Sequence, residues 1–74
     1  MKRKYTLRFD ASREKWLLTH DASEKVLKVF DTKEGATRAG VLRKALGREG
    51  GTVTLRTRTG VFDEERTFPR STDR

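Results

Sequence analysis

"FDTKEGATRAGVLRKALGREGG", Phe30 to Gly51, is where this 74-residue chain leaves strand spacing for helix spacing. Ala36, Ala39, Leu42 or Arg43, and Leu46 recur at intervals of three and four, with Val41 and Ala45 beside them. Asp31 or Thr32 can cap the first turn, because a side-chain oxygen there accepts an orphan backbone N–H. Glu34 lies in the first turn and Lys44 and Arg48 near the end, as the helix dipole favours. Gly50-Gly51 can close the helix in a left-handed turn. Gly35 and Gly40 fall inside it, each costing roughly 1 kcal/mol relative to Ala. A small residue at 40 is expected to let the helix approach a sheet closely.

On both sides of this stretch the period is two. "KYTLRFD", Lys4 to Asp10, puts Tyr5, Leu7 and Phe9 on one face and Lys4, Thr6 and Arg8 on the other. "DASREK" is a turn. "KWLLTHD" is a second strand, with Trp16 and Leu18 inward and Leu17 outward. "VLKVF", Val26 to Phe30, is a third, and its inward set is ambiguous. Short connections make these three an antiparallel meander. "TVTLRTRTG", Thr52 to Gly60, is a fourth strand, with Val53 and Leu55 inward and Thr54, Arg56 and Arg58 outward. Gly60 serves the next turn. "VFDEERTF" is a fifth, with either Val61 or Phe62 setting its register, and Pro69 ends it.

The order is β-β-β-α-β-β. One helix on one face of an antiparallel sheet of about five strands gives a two-layer α+β domain over residues 1–68. Residues 69–74 are expected to form a flexible tail. The other sheet face is expected to meet solvent or a partner.

Taken as a set, three features resemble a known bacterial family, the domain of unknown function 2188. They are Trp16 on an early strand, "FDTKEGA" at the helix start with Gly50-Gly51 at its exit, and the final "TLRTRTGVFDEERTF" hairpin. The likeness spans roughly Tyr5 to Phe68. Thr59-Gly60 stands where many members have Asp-Gly, and glycines 35 and 40 stand where alanine or glutamate is commoner. The resemblance supports the small β-β-β-α-β-β fold and implies no activity.

Lys and Arg exceed Asp and Glu by 18 to 11, a formal charge of +7 on one small domain. Such a field favours polyanions, nucleic acid first. There is no Cys, hence no disulfide or thiolate site, and the single His20 builds no histidine cluster. No stretch approaches the ~20 apolar residues of a membrane span, and the basic start lacks the apolar core of a signal peptide. A cytoplasmic location is expected. No nucleophile–base set, phosphate loop or metal spacing is present, so neither an enzyme nor a cofactor is expected. "GREGG" follows a helix and is a cap, since an anion site needs glycines before a helix.

The candidate nucleic-acid-binding residues are Lys4, Arg8, Arg43, Lys44, Arg56 and Arg58. Lys2 and Arg3 extend the first strand's basic arm, and Arg38 and Arg48 add to the helix. Arginine grips phosphate in a forked geometry, and threonine donates to phosphate or sugar. Exposed aromatics for stacking are scarce, because Tyr5, Phe9 and Trp16 are expected in the core, so backbone binding to DNA or RNA is favoured over stacking. Cross-strand pairing of Arg56 and Arg58 with Asp63 and Glu65 would turn these arginines into hairpin glue. The competing reading is a homodimerising or adaptor module that uses the uncovered face or a sheet edge.

Overall fold

The computed structural model describes residues 3–69. The tail expected beyond Pro69 and the Lys2 end of the basic arm lie outside them. Five strands, β1 (Lys4–Asp10), β2 (Lys15–His20), β3 (Val26–Phe30), β4 (Gly51–Arg56) and β5 (Phe62–Phe68), form one sheet in the order β3-β2-β1-β4-β5. Between β3 and β4 lie α1 (Lys33–Thr37), α2 (Val41–Leu46) and a 3-10 turn over Gly47–Glu49. The α+β class and the element order are those expected from the sequence.

Two details differ. The sheet is mixed: β4 runs parallel to β1, while every other pair is antiparallel. Two hairpins carry the chain from β1 out to β3 at one edge. The next strand extends the sheet on the far side of β1, and the long connection delivers it parallel. The expected single helix is also two. Gly40 takes φ +84° and forms the boundary before α2, so it is a break and not a close-packing position. Thr32 caps α1, its Oγ1 accepting from the Gly35 N–H at 2.9 Å.

Tyr5, Leu7, Trp16, Leu18, Val53 and Leu55 form the sheet side of the core, and Ala36, Leu42 and Leu46 cover them. Phe9, Phe30, Ala45 and Phe68 close its margins. Phe30 and Lys28 are thus on the helix side of β3, and Val29 is on the other, opposite Leu17. Neither Val61 nor Phe62 points inward; they are 61% and 58% exposed. The inward residues of β5 are Glu64, Arg66 and Phe68, which stand opposite Leu55, Val53 and Gly51. The register slips by one at Asp63, because Leu55 pairs with Glu64 but Arg56 pairs with Phe62. This bulge defeats a simple alternation.

At the β4 start the backbones crowd. A Cβ on Gly51 would lie 2.7 Å from the Arg3 carbonyl oxygen and 2.8 Å from the Tyr5 ring, at φ +143°. Gly40 has a positive φ but open space around it. Gly40→Ala should therefore cost about 1–2 kcal/mol, the usual price of a left-handed non-glycine residue. Gly51→Ala should cost clearly more, since β1 and β4 must separate. Urea unfolding of both variants checks this, and equal losses would contradict it.

Candidate nucleic-acid interface

The helices cover one face of the sheet, and the strand registers fix what stands on the other. Thr6 lies between Thr19 of β2 and Thr54 of β4, and Glu65 stands beyond Thr54. Lys4 lies beside Thr52, which pairs with Thr67. Arg8 pairs with Leu17, which pairs with Val29. Leu7 and Leu55 are partners across the parallel pair, so Arg8 and Arg56, the next residue of each strand, stand side by side. Phe62 stands opposite Arg56 on β5. One row across this open face therefore reads Phe62, Arg56, Arg8, Leu17, Val29. The next reads Glu65, Thr54, Thr6, Thr19, Val26.

Leu17 does point to this face, as expected, yet it is only 1% exposed. Thr19 and Thr52 are also buried. The face is thus a packed surface of short hydroxyl side chains with longer cations standing over it. Thr6 Oγ1 donates to Asp21 Oδ1 at 2.7 Å, and Thr19 Oγ1 donates to the Thr6 carbonyl at 3.3 Å. His20 is structural: its ring meets Tyr5 edge-on at 5.2 Å, and its Nδ1 lies 3.1 Å from Ser23 Oγ.

Of the six candidate residues, Lys4, Arg8 and Arg56 come together on the open face. Arg58 does not join them. β4 ends at Arg56, and Arg58 lies in the turn with its guanidinium 4.5 Å from the centre of the Phe9 ring. Phe9 belongs to the helix-side residues, so Arg58 has left the row that alternation assigned to it. Arg43 and Lys44 are on α2, where with Gly40, Gly47 and Arg48 they line a shallow hollow on the opposite side of the molecule. The basic groups therefore form two surfaces, not one.

Four of the acids are engaged elsewhere. Asp63 pairs with Lys33 of α1 at 2.6 Å, and Lys33 also lies over the Trp16 ring. Glu64 pairs with Arg66 at 2.6 Å, and Arg66 reaches the Thr37 carbonyl at 3.5 Å. Asp31 pairs with Lys15. Asp10, two residues beyond Arg8, accepts from the Ser12 hydroxyl and from the Ser12 and Arg13 N–H groups of its own turn. Among the described residues no ion pair involves Lys4, Arg8 or Arg56. Arg56 is steered instead by the Gly60 carbonyl, which accepts from its Nη1 at 3.0 Å. The hairpin-glue alternative thus fails for Asp63, while Glu65 remains on the open face opposite Thr54.

Phe62 is the residue of this face that sequence reasoning missed. Its signal is hidden by the bulge at Asp63, which gives Phe62 the facing of Glu65. Among the described residues no group of three or more His, Cys, Asp or Glu side chains is placed to hold a metal ion, and no helix is long and apolar enough to cross a membrane. No family model matches the chain, and no curated protein or solved structure matches it significantly.

The Asp10 carboxyl is held below its ordinary value of 3.8, chiefly by the Ser12 hydroxyl, and Asp31 likewise by the Lys15 ammonium. A depressed folded-state pKa contributes stability above the unfolded value, which is lost as pH falls through the folded one. Asp10→Asn keeps a turn-capping oxygen and removes the charge. Its stability deficit against the parent should be present at neutral pH and shrink as pH falls through and below the ordinary carboxylate range. Thermal unfolding across pH checks this, and a deficit independent of pH would contradict it.

Proposed function

We propose that the chain is a small non-enzymatic domain that binds nucleic acid through its phosphate backbone, using the open sheet face. The observation that carries this reading is the Leu7–Leu55 register, which sets Arg8 and Arg56, the next residue of each strand, side by side on the open face. Like charges on neighbouring strands repel, and among the described residues neither forms an ion pair that would relieve the repulsion. A phosphate between them would relieve it in the forked geometry that guanidinium favours. Lys4 sits further along the same strand, and Thr54 and Thr67 offer hydroxyls to phosphate or sugar. The formal charge of +7 supplies long-range attraction. Membership of the domain of unknown function 2188 family belongs to the same proposal, supported by the Thr32 cap and by the glycine required at 51.

Binding of labelled DNA and RNA at low salt should be measurable and should fall linearly in log–log terms as salt rises. The double change Arg8→Glu, Arg56→Glu should weaken binding by more than about tenfold, with thermal stability nearly intact. Arg43→Glu with Lys44→Glu should do much less. The reverse ranking would move the contact to α2. No binding at low ionic strength would sink the reading.

A specific observation favours a second reading, self-association. β3 is an edge strand, and Val26, Leu27 and Val29 on it are 42%, 46% and 48% exposed. An apolar edge is a template for strand pairing, and a second copy could dock β3 against β3. Light scattering over a concentration series would then report a dimer that Val29→Lys disperses. A monomer at every concentration would rule this out.

A further inference from the structure

We propose that the open face takes single-stranded nucleic acid, with one base stacked on Phe62 and the adjoining phosphate held between Arg56 and Arg8. This rests on the reading of that face as a nucleic-acid surface and goes on to name the form of the acid.

Phe62 is a large ring left 58% exposed at the end of the row that carries the two arginines. Leaving such a ring in water forgoes the burial that every other aromatic of the sheet obtains. Every base has a π-face, and a ring of this kind stacks on it without regard to sequence. In a duplex those faces are covered by neighbouring bases; in a single strand they are open.

The dimensions agree. Phe62, Arg56 and Arg8 stand on three adjacent strands, so the row from ring to second arginine spans about 10 Å. That is the scale of one nucleotide from base to phosphate. The whole face is five strands wide, about 19 Å at the usual strand spacing. A duplex major groove is only about 12 Å wide and admits a two-stranded ribbon, not a five-stranded sheet. A duplex would touch the face along its outer phosphates alone and leave Phe62 idle.

Beyond Arg8 the surface changes character. Thr6, Arg8, Thr19, His20, Asp21 and Glu24 line a hollow of about 410 Å³. Arg8 stands between Arg56 and this hollow, whose two carboxylates, Asp21 and Glu24, repel phosphate, so the phosphate is held on the Arg56 side of Arg8.

Oligothymidylate and oligouridylate of about 12 nucleotides, and a duplex of equal length, serve as probes in anisotropy titrations at low salt. Both single strands should bind more tightly than the duplex, with the two arms comparing DNA with RNA. Phe62→Ala should weaken single-strand binding by about tenfold with little change in duplex binding or thermal stability, and Phe62→Trp should restore it. Duplex binding equal to or tighter than single-strand binding would overturn this inference and leave the phosphate-binding function standing. So would a Phe62→Ala variant with undiminished single-strand affinity. No binding to any probe would overturn both.

Discussion

A strand parallel to its neighbour can be reached only by a long crossover, and this one requirement shapes the molecule. β4 lies parallel to β1, so residues 31–50 must span the sheet from the β3 edge back to its centre. They are the only connection long enough to build a second layer, and they build it on one face. α1 and α2 have five and six residues, too few to hold a helix in water unaided. They persist because Ala36, Leu42 and Leu46 bury themselves on Leu7, Leu18, Val53 and Leu55. With the crossover spent on that face, nothing in the described chain remains to cover the other.

The uncovered face solves its exposure to water without charge alone. Threonine is β-branched and suits a strand, and its hydroxyl keeps the surface wetted. Thr6, Thr19, Thr52 and Thr54 tile the middle of the sheet. The acids are meanwhile drawn to turns and to the helix side, where Asp10, Asp31, Asp63 and Glu64 each meet a cation. The positive excess of the chain is therefore unevenly distributed, and Lys4, Arg8 and Arg56 stand over a floor of threonines with Glu65 and Asp21 at its margins.

Much of this was legible in the residues. Period-two alternation placed Tyr5, Leu7, Trp16, Leu18, Val53 and Leu55 inward, and Lys4, Arg8 and Arg56 outward, because a regular strand permits no other facing. It failed where the backbone stops being regular. Gly40 reads as one weak position in a helix until its φ of +84° is known. Asp63 is an extra residue that only the pairing with β4 reveals, and it turns Phe62, one of the two residues that could have set the inward register, to the open face. Arg58 was assigned by extending β4 two residues past its end at Arg56. The parallel sense of β4 was hidden for a different reason: strand direction is a property of the crossover's path, not of any strand's own pattern.

The same pairing sets the order in which the fold can be completed. Tyr5 and Val53 stand beside each other across 48 residues of chain, a separation whose closure entropy must be met before the contact returns anything. During synthesis β1 emerges first and can pair at once with β2. Its other edge stays bare, and its Tyr5–Leu7 face stays wet, until the crossover and β4 have followed. Of these five strands the earliest in the chain thus waits for the fourth, and the assembly of the core is timed by the arrival of Gly51–Arg56.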